Sequence, residues 1–182
     1  MPYNTARLTG LSEPAPDDIL YQPVWFYWGY CMELPHDSIL SYLKKNHVFT
    51  LCATAGDDLW CASCFYIADP EAMMLYFLTE PHTRHGTLMQ QNPRVAGTIS
   101  AQTVTVAKIR GIQFRGEIVT LSEEEEKQAR ARYCRRFPVA VAAKTPLRGL
   151  RLDEIKMVNN TLGFGKKLHW SRFSVGFSAN SE

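Results

Sequence analysis

From residue 37 onward, short runs of apolar and β-branched residues alternate with turn residues, a pattern that predicts β-strands joined by tight turns. The strands are predicted at residues 48–54, 59–67, 73–79, 95–100, 109–121, 150–158 and 161–170. The Ala-Gly-Asp-Asp sequence at 55–58 predicts a hairpin between the first two strands. Within 150–158, apolar and polar residues alternate as they do in a strand buried on one face.

Three helices are predicted between these strands. The first covers about residues 37–46, and the second follows the third strand and ends at Asn-Pro at 92–93. The third begins at Ser122, whose spacing to Glu125 is that of a capping box, and breaks at Pro138. Six or seven mostly short strands with three helices predict a mainly β (α+β) fold. A small β-barrel with helical decoration fits this order better than a parallel doubly wound sheet does.

Residues 1–36 differ from the rest of the chain. Five prolines break any helix there, and the apolar residues are concentrated at 24–32, which contain two tryptophans. We expect a poorly ordered extension, followed by a single domain at 37–175 and a tail at 176–182. The alternative is that the aromatic residues of 24–32 dock on the domain surface or on a partner subunit.

The composition narrows the class of protein. The 182 residues suffice for one domain, and 46% apolar with 21% charged residues is ordinary for a globular chain. A net charge of +2 does not favour binding to nucleic acid or to an acidic membrane. No stretch approaches the roughly 20 apolar residues that span a bilayer, and the N-terminus lacks the pattern of a secretory signal. The expectation is a soluble cytoplasmic protein.

The cysteines indicate free thiols in a reducing compartment. They are odd in number and lie mostly within apolar runs, at Cys31, Cys52, Cys61, Cys64 and Cys134. The C-x-x-C spacing of Cys61 and Cys64 falls in a predicted strand, where residues three apart point to opposite faces. We therefore expect two buried thiols there and not a redox or metal motif.

The segment 75–95 carries the strongest functional signal. It predicts a buried strand, a short turn and a helix whose first turn contains Thr83, Arg84 and His85, while Thr79 ends the strand at the same place. The N-terminus of a helix presents unpaired N–H groups and the positive end of the helix dipole. Together with hydroxyl groups and a guanidinium, it is suited to bind a phosphate. The alternative is a plain helix start with a solvated arginine.

Other candidate sites have weaker support in the sequence. His82 and His85 are three residues apart, but no carboxylate or cysteine stands beside them at ligand spacing, so no metal site is expected. The basic residues at 127–136 face the glutamates at 123–126 and predict a salt-bridged surface. The glycines and lysines at 163–167 suggest a bend in the last strand, with the lysines available to an anionic ligand. No nucleophile–base pattern is present, so no catalytic residue is predicted.

Taken together, several segments resemble the pyridoxamine 5′-phosphate oxidase-like superfamily of FMN-binding split β-barrels. Within it, the chain most closely resembles a group of small uncharacterised bacterial proteins. The matching segments are Leu59-Trp-Cys-Ala62, Thr79-Glu-x-x-Thr83-Arg84-His85, Ile109-Arg-Gly-Ile-Gln-Phe-Arg-Gly-Glu-Ile118, Arg135-Arg-Phe-Pro-Val139, Arg151-Leu-Asp-Glu-Ile-Lys156 and Asn160-Thr-Leu-Gly-Phe-Gly-Lys-Lys167.

The resemblance implies a homodimer with FMN in a groove between the subunits. On that pattern Thr79, Thr83 and Arg84 match positions that bind the flavin phosphate, with His85 beside them. The second strand would line the isoalloxazine ring with Ser63, Cys64 and Phe65, and Gln113 is a weaker candidate for a contact from the other subunit. Relatives begin near Met32, so we expect that translation naturally starts there.

Two departures from the family pattern bear on the ligand. Where the oxidases usually have a lysine after the phosphate arginine the chain has His85, and where they often have an arginine in the second strand it has Ser63. Fewer fixed positive charges leave haem or a deazaflavin as alternative ligands. The C-terminal substrate-binding segment of the oxidase has no match, so oxidation of pyridoxamine phosphate is not expected.

Three functions therefore stay open. The first is an FMN-dependent oxidoreductase or flavin reductase of unknown substrate, and the second is a non-catalytic flavin or haem carrier of the same fold. The third is an interaction protein that uses the aromatic residues of 24–32.

Overall fold

Residues 35–173, the part of the chain that the computed structural model describes, form seven β-strands and three α-helices. The strands are β1 (Val48–Ala55), β2 (Asp58–Asp69), β3 (Met74–Leu78), β4 (Arg94–Ser100), β5 (Arg110–Val119), β6 (Leu147–Asn159) and β7 (Lys167–Ser171). The helices are α1 (Asp37–Lys45), α2 (Arg84–Gln91) and α3 (Glu123–Arg136). Apart from Pro35 and His36, the predicted extension lies outside the described residues, as do the proposed start at Met32 and the tail predicted at 176–182.

One antiparallel sheet closes on itself to form the barrel. The strand order is β3-β2-β1-β4-β5-β6-β7, and an additional pairing of β3 with β6 closes the first six strands into a ring. The seventh strand pairs with β6 outside that ring. Closure removes the exposed edges that an open sheet would leave. The split β-barrel predicted from the sequence is confirmed.

Side chains that point into the barrel fill its core. In β4, Val95, Gly97 and Ile99 are buried while the residues between them are exposed, as the alternation of a strand requires. Phe49 lies at the centre of the barrel, where its ring meets Phe77 edge-on at 5.2 Å. This packing fixes which residues face outward and are available to a ligand.

Two helices pack on the barrel as their patterns predict. In α1, Ile39 and Leu43 are buried in the core, and the Tyr42 hydroxyl donates to the carbonyl of Arg110 at 2.7 Å. The capping box of α3 is present, since the side chains of Ser122 and Glu125 each bind the backbone of the other residue. No helix within residues 35–173 has the length and apolar character needed to cross a membrane.

The prediction of the last strand is wrong in its first half. A 3-10 turn occupies Asn160–Leu162, and the strand begins only at Lys167. Gly163 and Gly165 have φ angles of 134° and 72°, which an extended strand does not allow. These glycines therefore form the connection between β6 and β7, and the predicted bend within a single strand is also wrong.

Candidate functional site

The turn between β3 and α2 brings three predicted residues together. Thr83 caps the helix: its Oγ1 accepts a hydrogen bond from the N–H of Gly86 at 3.1 Å and donates to the carbonyl of Glu80 at 2.8 Å. Thr79, which follows β3, is 6% exposed. Nε2 of His85 lies 2.7 Å from Oγ1 of Thr79 and 3.3 Å from Oγ1 of Thr83. We call Thr79, Thr83 and His85 the threonine–histidine cluster.

Burial controls the charge of this cluster. It lowers the pKa of His85 below its ordinary value of 6.5, because the surrounding protein disfavours the charged imidazolium. The imidazole is therefore neutral at neutral pH, and its Nε2 lies within hydrogen-bonding distance of both threonine hydroxyl groups. A lysine at this position would carry a fixed positive charge, whereas the neutral ring of His85 offers a hydrogen bond and no charge.

The start of α2 is packed tightly against the preceding turn. A Cβ atom added to Gly86 would lie 2.4 Å from the carbonyl oxygen of Glu80 and 2.9 Å from that of Pro81. The absence of a side chain thus lets the first turn of the helix approach the turn backbone. This close approach holds Thr83 and His85 in place beside Thr79.

Arg84 points to a different neighbour. Its guanidinium forms an ion pair with Asp58 at the end of the β1–β2 turn, and its central carbon lies 4.4 Å from the centre of the Trp60 ring. The hydrogen bond from Arg84 lowers the pKa of the Asp58 carboxyl. The arginine is about half exposed, so it is neither buried nor simply solvated. An incoming anion would compete with Asp58 for it.

A second cationic side chain lies near the cluster. Thr79 and Gly86 line a cleft together with Ile118 of β5 and Arg148 of β6. Arg148 enters this cleft because β6 pairs with β3, which places it opposite Phe77. No sequence pattern indicated Arg148, because the pairing of distant strands decides its position.

The outer face of the sheet carries a row of small and polar side chains. The strand register sets Ser63 of β2 beside Thr50 of β1, Thr50 beside Thr98 of β4, and Thr98 beside Gln113 of β5. Ser63, Thr98 and Gln113 are exposed, and Thr50 is partly exposed. Three strand spacings separate Ser63 from Gln113, a distance of about 14 Å. We call these four residues the outer row.

The other two predicted residues of β2 have different surroundings. Cys64 is buried in the barrel core, so a contact from it to a ligand on the outer face would come from its backbone. Burial raises the pKa of its thiol to about 11. Phe65 is 54% exposed on the outer face, with its ring stacked on His47 and edge-on to Phe137. Cys61 and Cys64 thus face opposite sides as predicted, but Cys61 is exposed and not buried.

The remaining predicted features occupy the surface. His82 is exposed, and within residues 35–173 no group of three or more histidine, cysteine or acidic side chains is placed to hold a metal. On α3, Arg130 pairs with Glu126 one turn earlier, as the charge pattern predicts. Arg132 pairs instead with Asp69 at the end of β2, a partner that the pattern did not indicate.

Comparison with known proteins places the chain in a family. No family model matches it. The UPF0306 protein of Photorhabdus laumondii is 58% identical over 131 residues, which are 72% of this chain and 92% of that protein. A UPF0306 protein of Yersinia pestis is 58% identical over 143 residues, 78% of this chain and 97% of that protein. The chain belongs to the UPF0306 family.

Solved structures share the fold at low sequence identity. A heme-binding protein from Mycobacterium smegmatis superposes with a TM-score of 0.62 at 16% identity, over 75% of this chain and 58% of that one. A FAD-binding protein from Mesorhizobium loti superposes with a TM-score of 0.56 at 14% identity, over 68% of this chain and 94% of that one. HutZ, a heme storage protein from Vibrio cholerae, superposes with a TM-score of 0.54 at 14% identity, over 67% of this chain and 92% of that one. These likenesses support the split-barrel fold of this UPF0306 protein.

Proposed function

We propose that the protein binds FMN and acts as an oxidoreductase or flavin reductase. The observation that carries this proposal is the threonine–histidine cluster at the N-terminus of α2, with Arg84 next to it and Arg148 in the adjoining cleft. Hydroxyl groups, the N–H groups of a helix start and guanidinium groups are donors that suit a phosphate. Two solved proteins of this fold are named for binding FAD or heme, and these names support a cofactor of this size.

Binding of the phosphate requires a rearrangement at Arg84. Its present partner is the Asp58 carboxylate, in an ion pair exposed to water on both sides. Solvent screens such pairs, and they are readily exchanged. A phosphate dianion offers more acceptor atoms than a carboxylate and also meets the N-terminus of α2. We therefore expect Arg84 to leave Asp58 when the phosphate binds.

The flavin ring would lie on the outer face of the barrel. Ser63 and Phe65 present their side chains there, while Cys64 contributes only backbone. Gln113 lies at the far end of the outer row, and in the proposed homodimer we assign it a contact with a flavin bound by the partner subunit. The proposal thus includes a homodimer with the cofactor at the subunit interface.

The protein groups would bind and orient the cofactor and would not take part in proton transfer. When bound, FMN supplies the electron-transfer chemistry. The burial that keeps His85 neutral fits it as a hydrogen-bonding partner of the phosphate. The substrate of such an enzyme would be a small molecule that reaches the exposed face of the ring.

A non-catalytic carrier of flavin or haem is the second candidate. It is favoured by His85, which replaces a fixed charge with a neutral ring, and by the names of two neighbours, one heme-binding and one for heme storage. A deazaflavin would be held by the same phosphate donors. The absorbance spectrum of the purified protein separates these ligands, because flavin and haem absorb at different wavelengths.

The phosphate assignment is tested by titrating the protein with FMN and following flavin fluorescence. Arg84→Ala is expected to weaken binding by about 10- to 100-fold, since it removes a charge-assisted hydrogen bond. Asp58→Asn is expected to tighten binding, because it removes the carboxylate that competes for Arg84. Arg135→Ala, at an exposed position on α3, is the matched control and should bind FMN like the wild type.

The outcomes separate the candidates. The proposal is overturned if the titration shows no binding of FMN to the wild-type protein. If the Arg84→Ala variant binds FMN with wild-type affinity, Arg84 is not part of the site. A haem absorbance band without flavin binding supports the carrier. Oxidation of a nicotinamide donor by the FMN-loaded protein distinguishes the enzyme from a flavin carrier.

A further inference from the structure

Two cysteines that lie nine residues apart in the sequence face each other on neighbouring strands. Cys52 of β1 and Cys61 of β2 are direct partners in the antiparallel register. Their Sγ atoms lie 2.7 Å apart. Both side chains are on the outer face of the hairpin, where Cys61 is exposed and Cys52 is partly buried.

This placement has the geometry that a disulfide needs. Opposed residues in antiparallel strands have Cα atoms about 4.5 or 5.5 Å apart, depending on the hydrogen-bonding pattern. Both distances fall within the range of about 4.4–6.8 Å that disulfides span. A bond between Cys52 and Cys61 would therefore require no movement of the strands. By contrast, Cys61 and Cys64 lie on opposite faces of one strand.

The two thiols are not equivalent. Partial burial, together with the hydrogen bond to Cys61, raises the pKa of the Cys52 thiol to about 11, so Cys52 stays protonated at neutral pH. Cys61 is the thiol that solvent reaches. An exposed thiol beside a protonated partner is suited to react first with a reagent in solution, and the partner is suited to complete the reaction.

We propose that Cys52 and Cys61 form a dithiol site that low-molecular-weight disulfides oxidise reversibly to a cross-strand disulfide. The Cys61 thiolate attacks one sulfur of the reagent, whose S–S bond breaks and releases one thiol. Cys52 then loses its proton and attacks Sγ of Cys61, which expels the second thiol. Two protein thiols lose two electrons and two protons, and the reagent disulfide is reduced to two thiols.

The site lies next to the surface proposed for the cofactor but does not depend on it. Cys61 is two residues from Ser63 on the same face of β2. The disulfide would close a loop around the β1–β2 turn, which ends at Asp58, the partner of Arg84. Oxidation would thus stiffen the hairpin that carries Asp58. The chemistry of the thiols can be measured whether or not the protein binds FMN.

The test equilibrates the full-length protein with mixtures of reduced and oxidised glutathione. After alkylation of free thiols, intact mass and peptide mapping should show a Cys52–Cys61 crosslink whose fraction rises with the proportion of oxidised glutathione and returns to zero with dithiothreitol. In Cys52→Ser the crosslink cannot form, and we expect a glutathione adduct on Cys61. Cys64→Ser and Cys134→Ser are the matched controls and should crosslink as the wild type does.

The mapping of wild-type protein decides the proposal by itself, so it does not depend on the folding of any variant. Cys52 and Cys61 that both remain reduced in the oxidised buffer overturn it. So does a glutathione adduct on each cysteine without a crosslink, or a crosslink that joins either of them to another cysteine or another chain.

Discussion

At the scale of single residues, the environment of His85 links the stability of the fold to pH. Burial lowers its pKa in the folded protein below the ordinary value of 6.5, whereas the unfolded chain has the ordinary value. Between these two values the unfolded state binds more protons than the folded state. The contribution of His85 to the free energy of unfolding is therefore highest above about pH 6.5 and falls as the pH decreases toward the folded pKa.

We predict that His85→Gln reduces this pH dependence, because glutamine does not titrate but can still bind the two threonines. Urea unfolding at about pH 7.5 and about pH 5.5 measures the difference in free energy. The control is His82→Gln, which changes an exposed histidine of the same turn. If both variants keep the wild-type dependence, the burial of His85 does not influence stability.

The residues of the candidate site were predictable to different degrees. The closeness of Thr83 to Thr79 followed from a strand, a turn and a helix in sequence, although Thr83 was expected in the first turn of the helix and is its cap. The partner of Arg84 did not, because Asp58 lies 26 residues earlier and meets it only in the folded barrel. Tertiary contacts of this kind leave no periodic signal in the sequence.

At the scale of elements, a methyl group added at the start of α2 has two opposite effects on the stability of the protein. In the interior of a helix, replacing glycine by alanine ordinarily stabilises the protein by about 0.5–1 kcal/mol. At Gly86, however, the new Cβ would lie 2.4 Å from the carbonyl oxygen of Glu80, a backbone atom that cannot rotate away. The steric conflict should exceed the gain in helix propensity.

We predict that Gly86→Ala destabilises the protein by about 1–3 kcal/mol, the usual cost of overpacking. The free energy of unfolding in urea measures it. Gln91→Ala, at an exposed position of the same helix, should stay within about 0.5 kcal/mol of the wild type. A Gly86→Ala variant as stable as the wild type would mean that the β3–α2 turn relaxes freely and does not hold the threonine–histidine cluster.

The hairpin of β1 and β2 has a register that its turn residues specify. The turn at 55–58 was predicted, and the structure pairs Ala55 with Asp58. Counting outward from that pair sets Cys52 opposite Cys61. The register of a hairpin is fixed by its turn, so this cysteine pair could have been found from the sequence. The start of β7 could not, since the glycines at 163 and 165 fit both a strand bend and a loop.

At the scale of the whole molecule, barrel closure determines which surface a second copy can cover. The β3–β6 pairing covers the outer edge of β3, so edge-to-edge pairing through β3 is not available for dimerisation. The outer row offers a face of small and polar side chains on four adjacent strands. A homodimer that binds FMN between its subunits, as proposed above, would use this face.

We predict that Thr98→Arg converts the dimer to monomers and abolishes FMN binding in the same step. Thr98 is exposed at the middle of the outer row, so a long charged side chain there obstructs an opposing subunit without entering the core. Analytical ultracentrifugation measures the mass in solution, and fluorescence titration measures FMN affinity on the same sample. Ala131→Arg, which adds the same side chain at an exposed position of α3, should stay dimeric.

The combination of results identifies which part of the dimer proposal fails. A Thr98→Arg variant that stays dimeric shows that subunits meet through another surface. A monomeric variant that binds FMN with wild-type affinity shows that one subunit holds the cofactor alone, which would remove Gln113 of the partner from the site. Loss of both properties together, with an unchanged free energy of unfolding, is expected only if the cofactor site and the interface share the outer row.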